Sequence, residues 1–229
     1  MPLRAAVGLL MAALGATGAD AACRLALALG IDISSSVDPA EDALQRQGLA
    51  RALQSDEVRQ AVFALPGDTV ALAVFEWSGR YQQDMILDWT QLRDPKDLAQ
   101  AAAIVARSRR SYADFPTATG YALGYAAGLL KQGPACLFRT IDLSGDGVNN
   151  DGFGPAQAYT HFPFQNVTVN GLAIDDPAGE TSAYYRAEIL HGPGAFLEIA
   201  EGFADFERAI RRKLVRELGA RVIGAAQAE

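Results

Sequence analysis

What most narrows the possible folds is a series of short, almost wholly apolar runs separated by stretches with helical spacing. The first run, Leu25-Ala26-Leu27-Ala28-Leu29-Gly30-Ile31, contains no polar side chain. A strand with one wet face alternates polar and apolar residues, so such a run belongs to a strand covered on both faces. Similar runs follow at 69–75, 136–143 and 167–174, with a shorter one at 195–199. A further short run at 85–87 is separated from 69–75 by Gly79-Arg80, which predicts an antiparallel hairpin at a sheet edge.

The intervening stretches carry helix signals. Asp38, Pro39 and Glu41 read as N-cap, first-turn proline and capping-box partner of one helix, along which Leu44, Gly48, Ala52 and Leu49, Leu53 repeat at helical spacing. A shorter helix over 57–65 is stopped by Pro66-Gly67, and Asp94-Pro95 opens another that runs through Arg107. Thr119, Leu123, Ala126, Ala127 and Leu130 share one helical face before Gly133-Pro134, and Phe206, Ile210, Leu214 and Leu218 share another over 203–218. Strand and helix in alternation predict an α/β fold. We expect a doubly wound, mostly parallel six-stranded sheet with one antiparallel edge strand and helices on both faces.

The chain of 229 residues suits one domain behind a short leader. Residues 1–21 have the parts of a signal peptide: Arg4, an apolar run over 5–16, and the small residues of Ala19-Asp20-Ala21. The run is too short to span a bilayer, and Asp20 argues against lipid anchoring at Cys23. The expected organisation is therefore a signal peptide over 1–21 and a domain over 22–229, exported to the periplasm or the exterior and a monomer on its own. With 27 acidic against 20 basic residues and no basic run, nucleic acid and anionic membrane surfaces are excluded as partners.

Open α/β sheets bind ligands beyond the carboxyl ends of their strands. Three polar clusters fall at such places: Asp32-Ile33-Ser34-Ser35-Ser36, Phe115-Pro116-Thr117-Ala118-Thr119-Gly120, and Ser144-Gly145-Asp146-Gly147. They offer oxygen donors without His or Cys, the chemistry of a hard cation such as Mg²⁺, Mn²⁺ or Ca²⁺. Asp32, Ser34 and Ser36 alternate, so on extended chain their side chains meet on one side.

Asp-x-Ser-x-Ser after an apolar strand resembles the metal-ion-dependent adhesion site (MIDAS) of von Willebrand factor A-type domains. Thr117-Ala118-Thr119-Gly120-Tyr121-Ala122-Leu123 is similar to that family's second metal loop, and Ser144-Gly145-Asp146-Gly147 to its third. The likeness extends from Arg24 to Leu218, and more narrowly the chain resembles a group of uncharacterised secreted bacterial proteins built on this one domain. The resemblance implies that Ser34, Ser36 and Thr117 coordinate a divalent cation through their hydroxyls. Asp32 and Asp146 would do so directly or through water. Phe115-Pro116 departs from the glycine usual before the metal threonine, which leaves Thr119 as the alternative to Thr117.

With three neutral hydroxyls, two carboxylates are all that offset a charge of +2; if one of them acts only through water, the ion stays electron-poor and keeps a position that a partner's Asp or Glu can fill. The expected function is thus capture of a protein ligand's carboxylate, and not enzymatic. The enzymatic rival is a Mg²⁺-dependent phosphatase with Asp32 as nucleophile, which lacks its acid because Ser34 stands two residues on. No phosphate loop, dinucleotide fingerprint or Gly-x-Ser-x-Gly occurs, and His161 and His191 have no ligand spacing.

Around the site, Asp142 reads as a buried residue in a hydrogen-bonded or Arg139-paired structural role, with support of the ligands as the alternative, while Asn149-Asn150-Asp151-Gly152 reads as the rim, which Glu76 and Trp77 could also reach. In the family's sheet the first and fourth strands are parallel neighbours, which implies a disulfide between Cys23 and Cys136.

Overall fold

The computed structural model describes residues 22–175 and 178–226, so the leader expected over 1–21 lies outside it. Six strands form one sheet: β1 Ala22–Asp32, β2 Asp68–Trp77, β3 Gln83–Leu92, β4 Phe138–Gly145, β5 Val167–Asp175 and β6 Leu197–Glu201. Their order is β3-β2-β1-β4-β5-β6, and only β3 runs antiparallel to its neighbour. This is the expected architecture.

Helices α1 Pro39–Gln54, α2 Asp56–Val62, α3 Pro95–Arg107 and α7 Phe206–Ala226 cover one face. Helices α4 Thr119–Gln132, α5 Pro155–His161 and α6 Glu180–Tyr184 cover the other, and α6 continues into a π-helical turn over Tyr185–Ile189. The period of two assigns the faces. Leu25, Leu27, Leu29 and Ile31 of β1 enter the first core, while Ala26 faces the second, where α4 packs through Ala122, Ala126 and Ala127.

The helix starts follow their capping residues. The Asp38 carboxylate accepts from the Ala40 and Glu41 N–H groups, and Glu41 returns the bond to the Asp38 N–H. Asp94 caps α3 in the same way, accepting from Lys96 and Asp97. In α1 the buried face differs from the expected apolar stripe. Leu44 faces solvent, whereas Gln45 and Arg46 are buried because both have partners inside.

Cys23 and Cys136 form a disulfide across β1 and the start of β4, which are parallel neighbours. The half-cystines are 113 residues apart in sequence, so in the chain-entropy model the link stabilises by about 4–5 kcal/mol. Among the described residues no helix is long and apolar enough to cross a membrane.

Candidate metal centre

β1 and β4 lie side by side, yet the chain leaves β1 for α1 on one face and β4 for α5 on the other. That reversal opens a crevice beyond the strand ends. Asp32 closes β1 and Asp146 follows β4, so the two carboxylates flank it.

The 32–36 segment is not the extended chain we expected. It turns at once: the Ser34 N–H donates to Asp32 Oδ1 at 2.7 Å and the Val37 N–H to the Ser34 carbonyl at 3.0 Å. The turn still gathers the side chains. The Ser34 and Ser36 hydroxyls are 3.1 Å apart, and Ser36 donates to Asp146 Oδ1 at 2.8 Å. The second loop is tied on by the Ser35 N–H, which donates to the Phe115 carbonyl at 2.8 Å.

Thr117 is gripped through its backbone: its N–H donates to Asn150 Oδ1, and its carbonyl accepts from the Asn150 and Asp151 N–H groups. Its hydroxyl lies 3.9 Å from where a Cβ on Gly147 would stand, beside the Asp146 loop. Thr119 differs. Its hydroxyl donates to Asn149 Oδ1 at 3.0 Å and meets the Tyr184 hydroxyl at 2.8 Å, so it is engaged elsewhere. Of the two threonines, Thr117 is the one whose hydroxyl has no such partner among the described residues.

Electrostatically the cluster is short of positive charge. Burial first, and then the neighbouring Asp146, push Asp32 up to about 7. Burial also raises Asp146. Asp32 Oδ2 is buried and has no hydrogen-bond partner among the described residues. Such an oxygen costs free energy unless a proton or a cation meets it. A cleft of about 770 Å³ beside Asp146 adds Glu41, Asp175 and Glu201, so the surroundings attract cations.

No three His, Cys, Asp or Glu side chains of the described residues group as a metal site. The candidate donors here are hydroxyls with two carboxylates, an all-oxygen set that fits a divalent cation.

Three residues around the cluster depart from the sequence reading. Asp142 pairs with Lys213 of α7, 2.5 Å away, and not with Arg139, whose guanidinium reaches the Leu130 carbonyl. Glu76 and Trp77 do not reach an exposed rim. Both are buried, Glu76 in an ion pair with Arg46.

The support that sequence reasoning missed is Arg110. Its guanidinium donates to the carbonyls of Ile33, Ser34, Val37, Tyr112 and Ala113, binding the 33–37 turn to the loop before Thr117. Glu76 holds that loop in turn, accepting from the Ser111 N–H at 2.9 Å. Arg110 follows Arg107 and Arg109 in an otherwise featureless stretch, so no local pattern marked it.

With this geometry in view, comparison with known proteins places the chain. The family described as "Protein of unknown function (DUF1194)" matches residues 22–222. The chain belongs to that family. No curated protein matches it. Among solved structures it is similar to a von Willebrand factor type A protein from Catenulispora acidiphila, with 18% identity and a TM-score of 0.60, covering 86% of this chain and 43% of that one. It is also similar to proximal thread matrix protein 1 from the mussel byssus, in a structure with a zinc-occupied MIDAS motif. There the identity is 17% and the TM-score 0.60, covering 88% of this chain and 47% of the other. The pilus adhesin SpaC from Lactobacillus rhamnosus GG gives 14% identity and a TM-score of 0.58 over 86% of this chain and 30% of its own. The chain thus spans less than half the length of each. At these identities the likeness shows the fold, which is that of von Willebrand factor A-type domains.

Proposed function

We propose that the chain is an exported, divalent-cation-dependent binding module that captures an acidic group of a protein partner, and is not an enzyme. The observation that carries this reading is the buried, unpartnered Oδ2 of Asp32, beside Asp146 and a set of hydroxyls at the switch point of the sheet. Asp32, Ser34, Ser36, Thr117 and Asp146 are the residues that would hold the ion. Mg²⁺ is our first choice, with Mn²⁺ or Ca²⁺ served by the same oxygens. When bound, the cation would offer a coordination position to a carboxylate from outside.

The chain's own residues prepare that capture. Three of the five donors are neutral hydroxyls, so they neutralise little of the ion's charge. Arg110 and Gln45, which donates to the Asp32 carbonyl at 2.9 Å, hold the turn in place beforehand. The exposed Tyr81, Phe115 and Val148 supply apolar contact area on the loops that border the cluster. The fold shared with a protein titled as an adhesin and with one titled as holding zinc in a MIDAS motif supports the reading. The disulfide supports export, since such links persist in oxidising compartments.

Calorimetric titration with Mg²⁺ or Mn²⁺ tests it. One site is expected in the wild type and none in Asp32→Ala, with an unchanged circular dichroism spectrum. Absence of binding to the wild type, or undiminished affinity in the variant, overturns the assignment. No Mg²⁺-dependent turnover of aryl phosphates is expected. Turnover that disappears in Asp32→Asn would put the phosphatase reading in its place.

A further inference from the structure

Behind the metal-facing cluster lies a second set of polar atoms that the proposed function leaves unused. Among the described residues, Asp32 Oδ2, the Tyr185 hydroxyl and the Trp77 indole N–H are all buried without a hydrogen-bond partner. Each belongs to a side chain of a residue that is essentially inaccessible to solvent. They come from three different elements, β1, the π-helical turn and β2, yet they converge on one place.

Gly145 marks that place. A Cβ built on it would stand 2.6 Å from the Tyr185 hydroxyl oxygen, 2.7 Å from Asp32 Oδ2 and 3.2 Å from Trp77 Cζ2. Gly171 on β5 has a related role, because a Cβ there would meet the Tyr185 ring at 2.6 Å. Two glycines on neighbouring strands therefore clear a lane across β5 and β4. The Tyr185 ring lies along it, with its hydroxyl at the end of β1. Tyr185 is the first residue of the π-helical turn, a distortion frequent at functional sites.

The chemistry of the two orphans is complementary. Asp32 Oδ1 is already engaged by the Ser34 N–H, while Oδ2 is an acceptor without a donor. The Tyr185 hydroxyl is a donor without an acceptor. Left apart, each costs its desolvation, whereas a hydrogen bond to a carboxylate is among the stronger kinds.

We infer that Tyr185 is a positioning residue for the metal centre: its hydroxyl, not hydrogen-bonded in this structure, turns onto one lone pair of Asp32 Oδ2 and fixes the plane of that carboxylate, leaving the other lone pair to the cation. This rests on the proposed function in placing Asp32 among the cation's ligands. With Ser34 on one oxygen and Tyr185 on the other, the carboxylate is held toward Ser36 and Asp146 before any ion arrives. The preference for glycine at 145 and 171 and the π-helical turn then have one common purpose.

The test combines Tyr185→Phe, which keeps the ring, with Asp32→Ala in a double-mutant cycle. Tyr185→Phe is expected to weaken Mg²⁺ binding about tenfold by calorimetry, the scale of one hydrogen bond to a charged group. The second readout is urea unfolding in EDTA, which needs no metal. There Tyr185→Phe should lower the midpoint in the wild-type background and leave it unchanged or raised in Asp32→Ala. Equal shifts in the two backgrounds would mean that the hydroxyl does not act through Asp32, and that overturns the inference. Unaltered Mg²⁺ affinity in Tyr185→Phe overturns it as well, while leaving the metal site standing if Asp32→Ala still abolishes binding. Should the wild type bind no Mg²⁺, the proposed function falls, and the unfolding cycle alone decides on the contact.

Discussion

Asp32 and Asp142 lie on adjacent strands, are equally buried, and are both pushed up to about 7, in each case chiefly by desolvation. What surrounds them differs. Asp142 has Lys213 Nζ 2.5 Å from its Oδ1, off the line of a good hydrogen bond, and Lys213 also approaches Glu217 at 3.3 Å. Glu217 in turn accepts from the Asn170 side chain. The compensating charge is built into the core. Around Asp32 the charged neighbour is another carboxylate, and the one guanidinium close by, that of Arg110, is spent on carbonyls. A buried carboxylate with its own lysine belongs to the architecture, whereas one left short of positive charge at a strand end fits the cation site proposed here.

The comparison breaks most readily at Lys213. Lys213→Met should destabilise the fold by about 3–5 kcal/mol, because it leaves two buried carboxylates without their cation. Asp32→Ala should cost much less in EDTA, about 1 kcal/mol or below, since relief of repulsion with Asp146 offsets the loss of an acceptor for the Tyr185 hydroxyl. Equal losses of stability in the two variants would erase the distinction drawn here.

A smaller effect sharpens it from the side of Asp142. Its folded pKa lies above the unfolded value near 3.8, so the folded state holds the proton more tightly. The contribution to stability is full below about pH 4 and is lost as pH rises through 7. Lys213 and Glu217 of α7 and Asn170 of β5 are the polar groups facing it. Unfolding followed from pH 4 to 8 should therefore show a decline in the wild type that is flatter in Asp142→Asn. Parallel curves would mean that Asp142 is ionised throughout.

The smallest effect separates the two threonines. Thr117→Val should weaken Mg²⁺ binding about tenfold, as loss of one oxygen contact does, while Thr119→Val should change it less than about threefold. The reverse order would move the second metal loop by two residues.

Much of this was legible in the chain. Covered strands declare themselves by unbroken apolar runs, and Asp38 and Asp94 mark helix starts because a cap is a local bond between residues two and three apart. The candidate ligands Asp32, Ser34, Ser36 and Asp146 were legible for a related reason: they lie just past strand ends, and parallel strands bring those ends to one edge, whereas Thr117 stands in the loop between α3 and α4 and was marked by the family's loop pattern alone. Helix α5 and the α6–π turn were not, for they are short and carry little periodicity. Only after the fact does Gly154-Pro155 stand out as a helix start.

The sequence by itself determined the layers, the succession of strands and longer helices, and the placing of Asp32, Ser34, Ser36, Thr117 and Asp146 in loops at one end of the sheet. All of these follow from patterns within a few residues of each other. Which charge answers which was decided by the tertiary structure alone. Asp142 meets Lys213 and not Arg139, Arg46 meets Glu76, Arg110 clasps the 33–37 turn, and a lane cleared by two glycines brings the Tyr185 hydroxyl beside Asp32 Oδ2 without a hydrogen bond between them. Each of these contacts joins residues 30 or more positions apart, at an angle and depth set by how whole helices pack on the sheet. Local spacing carries no record of that packing.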